Sequence, residues 1–395
     1  MKRQVRFTLK AVALMATLFI AFACEKEEKN DKGFYENITI TEPTIWGLEN
    51  QRVTVKGKVV VRGTTLTIEP GTIIRMEAGA RIEVREQNGA IIANGTPEKG
   101  IVFTSAASNP QPGDWDYILF SEGATGCELE YCHVEFGGGN TQYGMIEIAK
   151  NALVSINNST LGYSQNYTIR AMDGNGFQSF HNNTVYNDYT HPLWVSVENI
   201  TSIGDGNQFI TTENTGIYVR EGTSPNRVTT DAVWQTQNVP YFFERGVEVR
   251  GNATLTLEPG IELRFANDRG FEVGVNNEDG KLIAVGTPEL PIKFRSAAPA
   301  PQPGNWRGLR FLANSLPGTI MEHCVVMHGG SYNLYKGNVT VEPCGAGNPI
   351  IRNSEFSESS AYGIYRRNLS NQWGNPLLEN NVFFNNASGD VNEID

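Results

Sequence analysis

The chain has 395 residues, with 32 basic against 43 acidic side chains and 39% hydrophobic residues. A net charge of −11 argues against nucleic acid and anionic lipid headgroups as partners, because every encounter would work against like-charge repulsion. The length is enough to bury a large core.

Residues 1–23 read as a secretory signal peptide: a basic start with Lys2, Arg3 and Arg6, then an apolar run from Ala11 to Ala23 too short to span a bilayer. The run ends Ala21-Phe22-Ala23-Cys24, which resembles the lipobox of bacterial lipoproteins, with Ala21 where Leu is commoner. Cys24 is then expected to be the acylated first residue of the mature chain. Cleavage would remove four basic residues and no acid, leaving 28 basic against 43 acidic, a net charge of −15. Residues 24–40 are expected to be a flexible acidic tether, since Glu25 to Lys32 is charged and free of apolar side chains. A lysine followed by acids at this point resembles the export signal of Gram-negative surface lipoproteins, although a plain solvated linker has the same composition. The expected location is the outer membrane, lipid-anchored and facing outward, with the membrane reached through the anchor alone.

From residue 41 the chain is a duplication. Thr65-Leu66-Thr67-Ile68-Glu69-Pro70-Gly71-Thr72 returns as Thr254-Leu255-Thr256-Leu257-Glu258-Pro259-Gly260-Ile261, and Gln111-Pro112-Gly113-Asp114-Trp115 returns as Gln302-Pro303-Gly304-Asn305-Trp306. The copies are placed at 41–228 and 229–395, the second lacking a counterpart of Pro192 to Gly222. The fresh Trp-headed start at Thr230 favours two modules meeting near Ser224 to Arg227. Each copy is a string of four- or five-residue β-branched segments punctuated by Gly, Asn and Pro, with no sustained helical periodicity. Asn157, Asn182 and Asn207 recur every 25 residues, as do Ile169, Trp194 and Val219. A fixed period of that size implies coils stacked on one another, with asparagines satisfying the turns. The fold class is therefore all-β, an internally duplicated right-handed parallel β-helix solenoid.

The coil pattern in Ile156-Asn157-Asn158-Ser159, Phe180-His181-Asn182-Asn183, Ile351-Arg352-Asn353-Ser354 and Leu378-Glu379-Asn380-Asn381 resembles the pectin-lyase-like superfamily. The Thr-Leu-Thr-Ile-Glu-Pro-Gly, Gly-Thr-Pro-Glu and Pro-Gly-Asp-Trp segments resemble bacterial cell-surface lipoproteins built on that fold. For function, the resemblance implies an association with extracellular polysaccharide.

A lyase on this fold needs acids clustered around Ca²⁺ and a basic residue to take a proton. Asp173, Asp188 and Asp205 come nearest, but Asp188 and Asp205 are 17 residues apart, off the repeat. A hydrolase needs converging carboxylates, commonly with an adjacent Asp pair and Gly-His-Gly, and neither string occurs. His323 and His328 are five apart on a strand, facing opposite sides, so no metal and no cofactor is expected. Cys127, Cys132, Cys324 and Cys344 read as buried thiols, with a Cys324–Cys344 disulfide as the alternative. Arg170 and Arg220 are expected to point outward from one sheet with Val195 between them. Sugar rings stack on aromatic faces, which singles out Tyr163, Tyr167, Tyr186 and Tyr189 beside these arginines as candidate ligand-binding residues. Trp115 and Trp306 read as core plugs. The sequence thus points to a non-enzymatic binding or scaffold module for glycan or an outer-membrane partner protein, with a polysaccharide lyase or glycoside hydrolase as the alternative.

Overall fold

The computed structural model describes residues 33–392 apart from 49–51, 172, 173, 175, 188, 213, 221–224 and 332. Cys24, Asp173 and Asp188 lie outside these residues. Phe34–Ile40, which the sequence assigns to the tether, is instead a strand lying parallel to the long strand Arg52–Arg62. The charged run stops at Lys32, and Tyr35 beyond it stacks on Trp46 at 4.6 Å, so this segment has apolar surface to bury.

The repeated octapeptide shows how a coil is made. Leu66 and Ile68 turn inward and are buried, while Thr65 and Thr67 between them are partly exposed, the period-two alternation of a half-buried strand. Pro70-Gly71 then turns the chain, with Gly71 at φ 86°, and the Thr72 hydroxyl donates to the Glu69 carbonyl at 2.6 Å. Glu69 thus serves the corner through its backbone. Against that corner lies Gly47, where a Cβ would stand 1.6 Å from Thr72 Oγ1, so no larger residue fits.

Three parallel ladders result. The first stacks Thr44–Trp46, Thr65–Ile68, Ala90–Asn94, Cys127–Glu130, Val154–Asn157 and Phe177–His181. The second runs through Ile73–Met76, Ile101–Ser105, Cys132–Glu135, Thr160–Gly162, Thr184–Asn187 and Gln208–Thr211. The third runs through Arg81–Arg85, Tyr117–Phe120, Ile146–Ile148, Ile169–Ala171, Leu193–Val195 and Ile217–Val219. Among the described residues, helical geometry is confined to two short 3-10 turns, Val197–Ser202 and Gly345–Gly347.

The stacking period in this region is 24 residues, not 25. Ile169 pairs with Leu193, which pairs in turn with Ile217, while Trp194 pairs with Arg170 and Tyr218. The asparagine ladder runs through Ser159, Asn183 and Asn207: the Ser159 and Asn183 amides each donate at 3.0 Å to the Oδ1 of the next residue in the row. Asn182, at φ 55°, takes the left-handed corner just before it, as Asn158 does at φ 50°. The slip of one residue exchanges inward and outward faces.

The third ladder does not stop at the boundary between the copies. Ile217–Val219 pairs with Tyr241–Phe243, which pairs with Glu262–Phe265 and onward through Ile292–Ser296, Cys324–Met327, Glu355–Ser357 and Val382–Phe384. These strands are counterparts of the first copy's second ladder, Glu262–Phe265 answering Ile73–Met76 at the offset of 189. The second copy therefore joins one unbroken stack, entering it one face out of phase.

The four described cysteines are free and buried. Cys324 lies on the continuing ladder and Cys344 just beyond Gly337–Val341 on a different one, so the spacing of 20 residues does not stack them. Cys132 and Cys324 occupy equivalent corners, their amides accepted by Ser159 and Ser354 hydroxyls at 3.0 Å. His323 and His328, at φ 49° and 67°, are left-handed corners at the two ends of Cys324–Met327.

Candidate functional site

The outward row of the third ladder is the most elaborate surface of the stack. Strand register places Glu83, Leu119, Glu147, Arg170, Trp194, Tyr218, Phe242, Arg264 and Arg295 in one line. A second row, spaced by 24, comes from the loops entering the strands: Tyr143, Tyr167 and His191. Tyr167 meets Trp194 edge-on at 4.8 Å, Trp194 meets Tyr218 edge-on at 5.5 Å, and His191 contacts Tyr218 and Phe242 at 5.0 and 4.9 Å. The Arg170 guanidinium lies 5.7 Å from the Tyr143 ring and 5.5 Å from Trp194, and that of Arg220 lies 5.8 Å from Trp194.

Each of these cations has a carboxylate. Arg170 grips buried Glu147 with Nε to Oε2 and Nη2 to Oε1 both at 2.8 Å, and the Gly144 amide adds a third donor at 3.0 Å. Arg220 pairs with Glu244 at 2.9 Å, and Tyr218 donates to the same Glu244 at 2.6 Å. Burial raises the Glu147 carboxyl above the ordinary range, with Arg170 and the Gly144 amide pulling the other way. Burial is also the largest cause raising Tyr218, which Glu244 raises further, and it pushes Tyr117 up to about 12. Tyr117 donates to Glu83 at 3.2 Å. The strip is therefore built of neutralised ion pairs and aromatic edges, with Trp194 and Tyr218 half-exposed.

The six residues singled out from the sequence divide. Tyr167, Arg170 and Arg220 belong to the strip, but Arg220 lies just past its strand and Val195 faces inward, paired with Ala171 and Val219. Trp194 stands between the two arginines. Tyr163 and Tyr186 form a separate column with Phe136, ring on ring at 5.3 and 5.9 Å, so most of their faces cover one another and their edges look outward. Tyr189 is exposed. Tyr143, Glu147, His191, Tyr218 and Glu244 were missed, although a 24-residue period applied to the sequence aligns Tyr143 with Tyr167 and Arg170 with Trp194.

Among the described residues, no group of three or more His, Cys, Asp and Glu is placed to hold a metal ion. Residues 38–152 match the family model of a pectate-lyase like beta helix domain. The chain is a parallel β-helix whose segment 38–152 is pectate-lyase-like. No curated protein and no solved structure matches this chain. The matched segment contains Glu83, Leu119 and Glu147, the beginning of the strip.

Proposed function

We propose that this β-helix is a non-enzymatic, lipid-anchored glycan-binding module of the cell envelope. The observation that carries the reading is the strip of Arg170, Trp194, Tyr218 and Phe242, which crosses from one copy to the other on a single ladder. Aromatic edges and faces suit the C–H surfaces of sugars, and paired ions offer fixed donors and acceptors to hydroxyls. Binding is favoured over hydrolysis because Glu147 has both oxygens engaged by Arg170, and Glu83 is held between Arg81, Arg85 and Tyr117. Carboxylates whose oxygens are all taken up by neighbouring donors have none left to turn on a glycosidic bond.

Trp194→Ala is expected to weaken retention on an immobilised polysaccharide about tenfold, the equivalent of about 1.4 kcal/mol for a lost aromatic contact. Affinity electrophoresis against a panel of neutral and uronic-acid polysaccharides reads this out, with the melting temperature as the control for folding. Release of reducing or unsaturated ends from any member would replace binding with hydrolase or lyase action. The anchor is tested separately: Cys24→Ala should move the protein from the membrane fraction to the soluble one, and a variant that stays with the membrane refutes lipidation.

A further inference from the structure

The second copy carries a surface cavity of about 140 Å³ on the ladder that includes Val247–Val249, Gly270–Val273 and Gly308–Phe311. An apolar cavity of about 150 Å³ accepts a benzene ring, so this one, open to the surface, takes the edge of a hydroxylated six-membered ring and leaves the rest outside, and its walls are polar. Glu248 and Glu272 stand directly opposite each other on neighbouring strands, a like-charge pair that ordinary sheet packing disfavours. Glu272 accepts from Tyr335 Oη at 2.5 Å and pairs with Arg310 at 3.2 Å. Gly270 makes room for the Tyr335 ring, since a Cβ there would come within 2.8 Å of its hydroxyl.

Glu248 is 9% exposed, and its Oε2 has no hydrogen-bond partner; Arg227 Nε and Arg250 Nη1 approach only to 3.5 Å. Arg245 Nε, also buried, has no acceptor. One wall thus holds an acceptor served by two ion pairs but no hydrogen bond, and another a donor with no acceptor, and leaving such groups without a hydrogen bond away from water is costly. The charges around the cavity balance: Arg245, Arg269 and Arg307 stand against Glu248, Asp268 and Glu272. Arg307 is held by Asp268 through two contacts of 3.0 Å, and Arg269 donates to the Glu244 carbonyl at 3.0 Å. A balanced site with a donor and an acceptor that lack hydrogen bonds suits hydroxyl groups, which both give and receive.

We infer that this cavity binds one uncharged, polyhydroxylated six-membered ring, with Glu248 accepting from one hydroxyl and Arg245 donating to another. The site lies on a different ladder from the strip and does not depend on glycan binding there. Isothermal titration of the full chain with galactose, glucose, mannose, myo-inositol and galacturonate tests it. At least one neutral ring should bind, and Glu248→Gln and Arg245→Ala should each weaken that binding tenfold or more. Trp194→Ala should leave it unchanged. Absence of binding by all four neutral rings, binding indifferent to both cavity variants, or galacturonate binding more tightly than galactose would each overturn the inference. Thermal melting of the two variants separates loss of the site from loss of the fold, and Glu248→Asp, which keeps the charge, should recover part of the binding.

Discussion

Trp115→Ala should destabilise the first copy by about 3–5 kcal/mol, the cost of removing a large buried aromatic and leaving a cavity. Trp115 is fully buried, its indole N–H donates to the Glu135 carbonyl at 2.8 Å, and Gly137 packs so closely that a Cβ there would come within 2.7 Å of the ring. The substitution would open a void at a coil corner and leave a carbonyl unpaired. Trp306 repeats the arrangement, donating to Met327 at 2.8 Å and stacking on Phe265 at 4.7 Å. Because each coil of a solenoid contacts only its neighbours, the effect should be local. Hydrogen exchange should show faster opening of Tyr117–Phe120 and Cys132–Glu135 in Trp115→Ala and of the equivalent second-copy strands in Trp306→Ala. Equal acceleration across both copies in either variant would contradict this.

Asn183→Leu should cost about 2–6 kcal/mol, although the two side chains branch alike. Asn183 is fully buried; its Oδ1 accepts from the Ser159 amide at 3.0 Å, and its Nδ2 donates to the Ile156 carbonyl at 2.8 Å and to Asn207 Oδ1 at 3.2 Å. Leucine leaves a buried donor and a buried acceptor unsatisfied, at about 1–3 kcal/mol each. Asn183→Ser should recover part of the loss, since Ser159 performs the acceptor task for Cys132. The comparison is made by urea unfolding followed by far-ultraviolet circular dichroism. A leucine variant as stable as the serine variant would show that the ladder contributes packing alone.

These two residues also show how far the sequence could be read. The stacked-coil architecture follows from short apolar alternations and a fixed repeat, and the inward positions Leu66, Ile68, Leu255 and Leu257 are buried as their pattern requires. The repeat length was harder because consecutive asparagines do different work. Asn182 takes a left-handed corner, which asparagine tolerates better than most residues, while Asn183 beside it bridges the coils. Counting Asn157, Asn182 and Asn207 as one series mixes a strand end, a corner and a bridge, and yields 25 where pairing gives 24. That single residue decides whether Trp194 is aligned with Ile169 or with Arg170, so the strip was only half legible. The cavity was not legible at all, since Glu248, Glu272 and Tyr335 meet through register and loop placement that local sequence does not encode.

The one-face phase shift at Ile217–Val219 and Tyr241–Phe243 bears on how the molecule can be approached. Residues duplicated in sequence do not look in the same direction: Arg75 and its counterpart Arg264 stand on different ladders of one stack. A flat surface lying against a given side meets different strands of the duplicated pattern in each half, and two copies of one ligand would be held along diverging directions. Duplication here multiplies orientations, and it gives the strip a junction where the two halves contribute unlike side chains to a common edge.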